Sequence, residues 1–183
     1  MMSYSLGPVL LKASSITRRV AELGARITRD MPKCGQILVV GVLNGAAVFV
    51  ADLIRQMPPD LDVRLMFASA SSYKDGTESE GAPKIQADWK AARGRHVLIV
   101  DDILDTGLTL STMLRKARRQ LPVSVRSCVL LDKKERRKTK VEADYVGFEI
   151  PDEFVVGYGL DCVGMWRHLR DIRSVKVEED EGW

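Results

Sequence analysis

Residues 37–43 read ILVVGVL, an unbroken apolar run rich in β-branched residues, bounded by Gly35 and by Asn44-Gly45. Such a run suits a strand buried on both faces, as inside a parallel sheet. Residues 61–68, 96–100 and 123–131 have the same strand character. Between them lie helical stretches at 46–57, closed by Pro58-Pro59, and at 108–121, closed by Pro122. An earlier helix is written in Ile16, Val20, Leu23, Ile27 and Met31, spaced by three and four, with Ser14 or Ser15 as its N-cap. Strands alternating with helices predict an α/β fold, a mainly parallel sheet with helices on both faces.

The length of 183 residues fits one domain. With 45% hydrophobic and 29% charged residues, disordered, collagenous and low-complexity classes are excluded. A net charge of +3 is too mild to argue for a nucleic-acid or membrane partner, so any anionic partner must be met by a local site. Cys34, Cys128 and Cys162 are far apart and form no C-x-x-C pair, which argues against a disulfide framework and against a zinc site. Residues 1–11 lack the pattern of a signal peptide. The most apolar stretch, 37–51, is interrupted by Asn44-Gly45 and is shorter than the roughly 20 residues of a spanning helix. The expectation is a cytoplasmic protein with no membrane segment.

Two stretches break the strand–helix rhythm. Residues 69–84, SASSYKDGTESEGAPK, form a long polar connection, the kind expected of a functional loop. Residues 132–142 carry Lys133, Lys134, Arg136, Arg137, Lys138 and Lys140. Two short apolar runs follow within 145–156, split by Pro151-Asp152, and an acidic tail from 177 to 183 is expected to fray. No internal repeat is visible.

The segment 97–110, VLIVDDILDTGLTL, carries the chemistry. An apolar strand ends in Asp101-Asp102, with Asp105-Thr106-Gly107-Leu108-Thr109 leading into a helix. In open α/β sheets ligands bind beyond the carboxyl ends of the strands. A Thr/Gly turn opening a helix offers backbone N–H groups and hydroxyls, a seat for a phosphate. Gly107 permits close approach of the backbone to an anion. Carboxylates beside such a seat would repel the anion, so vicinal ribose hydroxyls and Mg²⁺ are their natural partners. A lone Asp-Asp pair would be read as a turn and Asp105 as a cap. That reading does not account for the whole run. Neither a Walker A loop nor a G-x-G-x-x-G pattern is present.

The segment resembles the 5-phosphoribosyl-1-pyrophosphate (PRPP) motif of type I phosphoribosyltransferases. More narrowly, the chain from about 37 to 175 resembles a hypoxanthine-guanine phosphoribosyltransferase. The resemblance extends to VGVLNGAAVFVADL (40–53), SSYKDGTESEG (71–81), VLLDKKERR (129–137) and ADYVGFEIPDEFVVGYGLD (143–161). It implies transfer of a 5-phosphoribosyl group from PRPP to a 6-oxopurine, with release of pyrophosphate, in purine salvage.

By the same resemblance, Asp101 and Asp102 hold the ribose hydroxyls, directly or through Mg²⁺, and Asp105 exchanges the N7 proton of the purine. Residues Thr106, Gly107, Leu108 and Thr109 hold the 5′-phosphate, although Thr106 and Thr109 could equally serve as helix caps. Lys133 donates to the purine O6, Phe154 stacks on the ring and the Val155 backbone reads its edge. Asp161 stands at a second Mg²⁺ and Arg167 at the pyrophosphate. Ser72 and Tyr73 belong to a lid, with Gly76 and Gly81 giving it freedom. Asn44-Gly45 falls on the pyrophosphate loop, whose peptide in this family can be cis without proline. Asn44 replaces the usual lysine there, and Asp101 is one methylene shorter than the common glutamate. The family also implies a homodimer or homotetramer.

The remaining basic residues, Lys134, Arg136, Arg137, Lys138 and Lys140, read as a solvated loop rather than a nucleic-acid patch. His96 and His168 read as structural or solvated. The domain is expected to comprise a core at about 35–150, a hood from about 1–15 and 151–177, and a tail at 178–183. Two competing readings are a regulator that senses PRPP or nucleotides and a phosphoribosyltransferase for another base.

Overall fold

The apolar runs line up side by side in one sheet. The computed structural model describes residues 2–31, 35–71 and 83–179. In chain order the elements are β1 (Met2–Leu11), α1 (Ala13–Asp30), β2 (Gln36–Leu43), α2 (Ala47–Ile54), β3 (Asp62–Ser71), β4 (Lys84–Gln86), β5 (His96–Leu104), α3 (Leu108–Arg118), β6 (Ser124–Asp132), β7 (Tyr145–Glu149), β8 (Val155–Val156) and β9 (Ile172–Glu179). The main sheet has the order β4-β3-β2-β5-β6-β7. All its neighbouring strands are parallel except β4, which runs antiparallel to β3 at the edge. The continuous apolar runs are explained by burial on both faces: Ile37 to Val40, Val97 to Val100 and Cys128 to Leu131 are all buried.

The stripe of α1 behaves as its spacing predicts, with Ile16, Val20, Leu23 and Ile27 buried. Helix α1 packs on α2 and β7, whereas α3 packs on β4, β5 and β6. The connections β2-α2-β3 and β5-α3-β6 leave the sheet centre in opposite directions. Right-handed crossovers therefore put α2 and α3 on opposite faces.

Several local expectations change. The N-cap of α1 is Lys12, and Ser14 and Ser15 lie inside the helix. The reason is tertiary: Asp171 Oδ1 accepts a 2.7 Å hydrogen bond from the Ala13 N–H, so a remote carboxylate serves the helix start. Helices α2 and α3 stop at Ile54 and Arg118, three residues short of the prolines' limits at 57 and 121. Tighter turns finish them, with Met57 N–H bonded to Ile54 O and Leu121 N–H to Arg118 O. Strand β5 does not end at its carboxylates but continues through Asp101 and Asp102 to Leu104. Strand β3 likewise runs on to Ser71, into the polar connection, and β4 occupies its far side.

The chain's two ends meet in a separate antiparallel sheet, β1-β9-β8. Tyr4 lies opposite Val177 and Met2 opposite Glu179, so the start of the acidic tail is strand rather than frayed end. Residues 180–183 lie outside the described residues, as does Cys34. His96 is structural, its Nδ1 lying 2.8 Å from Ser124 Oγ across the β5–β6 pair.

Candidate active site

Strand order reverses between β2 and β5, because β2 is followed in space by β3 on one side and β5 by β6 on the other. Such a switch point opens a crevice at the carboxyl ends of the two strands. The residues there are Leu43-Asn44-Gly45 from β2 and Asp101 to Asp105 from β5. The two loops touch: a Cβ on Gly45 would overlap Asp102 Oδ2. Only glycine allows this approach. The Leu43–Asn44 peptide is cis, as the resemblance allows.

Asp101 is buried and Asp102 partly so. Burial, and after it the adjacent Asp102, holds the Asp101 carboxyl well above the usual carboxylate range. Burial also raises Asp102, against opposing hydrogen bonds from Asp101 and the backbone and the positive charge of Arg167. Backbone donors serve both side chains locally: Asp102 N–H bonds Asp101 Oδ1 and Ile103 N–H bonds Asp102 Oδ1, each at 3.0 Å. Neighbouring carboxylates, one buried and one partly so, are suited to a cation or to hydroxyl donors.

A cleft of about 290 Å³ runs from Asp101 and Asp102 along Asp105, Thr106, Gly107 and Thr109 to Leu110. Gly107 is the N-cap of α3 with φ of 83°, so Thr106 and Thr109 do not occupy that position. Thr106 Oγ1 instead accepts a long hydrogen bond of 3.5 Å from Leu108 N–H. The N–H groups of the first turn of α3 face the cleft end, where an anion is favoured.

Lys134, Arg136, Lys138 and Lys140 are exposed, as the sequence reading has them, but Arg137 and the backbone of this segment are tied to the turn before α3. Lys138 N–H bonds Thr106 O at 2.9 Å. Thr139 and Val141 press so closely on Gly107 that a Cβ there would strike both. Arg137 donates to Leu104 O at 3.1 Å, to Asp105 O, and to the buried carboxylate of Asp132. The loop therefore clamps the turn at Asp105 to Gly107 from behind. The sequence signal was present in the pair Arg136-Arg137 directly after a strand end, but composition alone reads it as surface charge. A larger hollow of about 540 Å³ lies beside this loop, and its Lys134 and Arg137 are already paired with Glu149 and Asp132.

Lys133 leaves the end of β6 with a 3.0 Å bond from its N–H to Leu104 O. Its side chain is only 8% exposed, and Nζ lies 3.5 Å from Asp152 Oδ1. Asp105 is held by Arg136, Nε to Oδ1 at 2.8 Å. Phe154 is 53% exposed, an aromatic left open rather than used as core. Its carbonyl accepts from Val175 N–H at 2.8 Å, and Val155 pairs with Ser174, so the β8–β9 ladder fixes this backbone.

Arg167 joins the remaining pieces. It donates to Gly159 O at 2.7 Å and to Asp161 Oδ1 at 2.7 Å. Asp161 Oδ2 accepts from Gly164 N–H at 2.7 Å. A Cβ on Gly159, whose φ is 102°, would collide with Gly45 O. The neighbouring Tyr158 hydroxyl donates to Asp52 on α2 at 2.7 Å. The segment carrying Asp161 is thereby docked onto the loop carrying Asn44 and Gly45. Among the described residues, no three His, Cys, Asp or Glu side chains gather into a metal cage. Ser72, Tyr73, Gly76 and Gly81 lie outside the described residues. His168 is exposed.

A sequence model of the phosphoribosyl transferase domain matches residues 10–162. This chain belongs to the phosphoribosyltransferase family. Within it, the chain is similar to hypoxanthine and hypoxanthine-guanine phosphoribosyltransferases. The hypoxanthine phosphoribosyltransferase of Haemophilus influenzae is 42% identical over 174 residues, 93% of this chain and 96% of that protein. The hypoxanthine-guanine phosphoribosyltransferase of Aquifex aeolicus is 45% identical, over 92% and 94% of the two chains. A crystal structure of a hypoxanthine-guanine phosphoribosyltransferase from Bacillus anthracis superposes with a TM-score of 0.84 at 40% identity, covering 95% of this phosphoribosyltransferase chain and 99% of that one. A hypoxanthine phosphoribosyltransferase of Trypanosoma cruzi, solved as a ternary substrates complex, gives 0.85 at 37% identity, over 93% and 96%.

Proposed function

We propose that this chain transfers the 5-phosphoribosyl group from PRPP to a 6-oxopurine, hypoxanthine or guanine with xanthine as a further candidate, giving the nucleoside 5′-monophosphate and pyrophosphate in purine salvage. The observation that carries the reading is one cleft beside the sheet switch point that holds the Asp101–Asp102 pair and the Thr106–Thr109 turn, with the buried Lys133 at the end of the neighbouring strand. The near-full-length likeness to hypoxanthine and hypoxanthine-guanine enzymes supports it.

Each part has a physical task. Thr106, Gly107, Leu108 and Thr109 bind the 5′-phosphate through backbone N–H groups and hydroxyls. Asp101 and Asp102 accept from the ribose hydroxyls. Asn44, Gly45 and Arg167 border the position of the pyrophosphate, where charge grows as the anomeric bond breaks. Asp105 takes the N7 proton of the purine, the general-base step. Lys133 donates to O6, and Phe154 and Val155 bound the ring. A buried donor left without its acceptor costs about 1–3 kcal/mol, which disfavours adenine. Ser72 and Tyr73 are proposed as the lid that excludes water, since an oxocarbenium-like ribose would otherwise be hydrolysed.

Mg²⁺ fits the Asp101–Asp102 pair, two adjacent carboxyl groups raised by burial, with Arg167 acting on Asp102. Mg²⁺ is commonly held by one or two carboxylates together with water and substrate phosphates, so no protein cage is required. When bound it supplies Lewis-acid neutralisation of pyrophosphate charge. Asp161 is proposed for a second such ion.

The exposed Val48, Leu65 and Phe67 on α2 and β3 support a homodimer or homotetramer, since an interface between copies would cover them. No described helix is long and apolar enough to cross a membrane. Free Cys128 and Cys162 fit a reducing cytoplasm. A sensing regulator is not favoured, because Asp105, Lys133 and Asp161 are all retained at the site and the relatives are enzymes.

The decisive assay supplies PRPP, Mg²⁺ and each free purine and measures nucleotide and pyrophosphate. Absence of product with every 6-oxopurine would overturn the reading. Asp105→Asn is expected to lower kcat by roughly 10²-fold or more while PRPP KM stays near wild type.

A further inference from the structure

Four ionised side chains link up along the rim where the purine is proposed to bind. Lys133 Nζ lies 3.5 Å from Asp152 Oδ1, Asp152 Oδ2 lies 3.5 Å from an Arg136 terminal nitrogen, and Arg136 Nε lies 2.8 Å from Asp105 Oδ1. The outer two members are the groups assigned to O6 and to N7. The inner two, Asp152 and Arg136, have had no task.

An exposed ion pair ordinarily contributes little. The Lys133–Asp152 pair is different because the lysine side chain is 8% exposed while the aspartate side chain is 41% exposed. A buried cation needs a nearby counter-ion, and loss of one partner leaves the other charge stranded. Two other acids close to this loop are committed elsewhere, Asp132 to Arg137 and Glu149 to Lys134. A lysine stem also has many rotamers, and a fixed partner for its ammonium removes most of them. Asp152 itself is set on the turn between β7 and β8, where Glu153 N–H bonds Pro151 O at 2.8 Å. The four charges sum to zero, so a neutral purine meets a neutral rim.

We infer that Asp152 is a positioning residue for purine recognition. One carboxylate oxygen fixes the Lys133 ammonium, and the other tethers the Asp105 carboxylate through Arg136. The O6 donor and the N7 acceptor are thus held in a set relation before the base arrives. The inference rests on the proposed assignments of Lys133 and Asp105.

The test compares Asp152→Asn, Asp152→Glu, Lys133→Met and the double variant Lys133→Met/Asp152→Asn as full-length enzymes, by steady-state KM and kcat for hypoxanthine and PRPP. Asp152→Asn should raise the hypoxanthine KM by about tenfold, the size of losing one charge-assisted bond, and leave the PRPP KM within about twofold. Asp152→Glu should recover most of that loss. The double variant should be no worse than Lys133→Met alone, since coupled residues are non-additive. A purely structural role for Asp152 would move both KM values or add to the Lys133 effect, and either result would overturn the inference. So would an Asp152→Asn enzyme with wild-type hypoxanthine KM beside a defective Lys133→Met. If Asp152→Asn does not fold, Asp152→Glu alone decides: it must keep a hypoxanthine KM near wild type. A Lys133→Met enzyme with unchanged hypoxanthine KM would remove the Lys133 assignment itself, and the inference with it.

Discussion

Arg136 Nε stands 2.8 Å from Asp105 Oδ1, so the carboxylate assigned to the purine N7 is steered by a residue from another loop. Arg136 is itself 47% exposed and buries little surface. Arg136→Gln should therefore leave thermal stability nearly unchanged and lower kcat several-fold, as expected when a catalytic group loses its orientation by a fraction of an ångström. Steady-state kinetics together with a melting curve check this. An enzyme with wild-type kcat would show that Asp105 needs no such guide.

Gly45 leaves no room for a side chain beside Asp102. Gly45→Ala must displace the Asp102 carboxylate. A displacement near 1 Å at reacting groups typically costs about 10²-fold. The expected result is a loss of that order in kcat/KM for PRPP, with far-UV circular dichroism unchanged. Retention of wild-type kcat/KM would mean that the carboxylate moves without consequence.

Arg137 serves two carbonyls and the buried Asp132 with one planar guanidinium. Lysine carries the charge but not the fork of donors. Arg137→Lys should destabilise the fold by about 1–3 kcal/mol through carbonyls and a carboxylate left short of partners. Denaturant unfolding measures this, and the same variant should lose activity because the phosphate seat is unclamped.

Asp101 offers a pH test. Its carboxyl is raised above the ordinary value of 3.8 in the folded protein, so folding binds its proton more tightly than the unfolded chain does. Its contribution to stability is greatest below that ordinary value and is lost as pH rises through the raised one. In metal-free buffer at neutral pH, Asp101→Asn should melt at a higher temperature than wild type, and the gap should shrink towards pH 4. Equal melting temperatures across that range would contradict the buried-charge account.

Much of the core was legible because burial on both faces writes itself as unbroken apolar runs, as in Ile37 to Val40. That the carboxylates and the Thr-Gly turn share one cleft was legible because they are neighbours in sequence at a strand end. Arg137 and Asp152 were not. Their roles depend on partners brought together by the sheet, Leu104 and Asp105 for one and Lys133 for the other. The α1 cap was missed for the same reason, since Asp171 reaches Ala13 from 158 positions away along the chain. Local propensity records neighbours in sequence and is silent about such meetings.

The pairing of β1 with β9 has a consequence for biosynthesis. The main sheet can assemble once β7 has left the ribosome, but β1 must wait for the final strand before it finds its partner. Domains emerging from the N-terminal end fold as their contacts become available. The small sheet that sets Val155 and Phe154 is thus the last part to close, and nascent chains cut short before Ile172 would carry a formed cleft at Asp101 to Thr109 without the wall proposed to bound the purine.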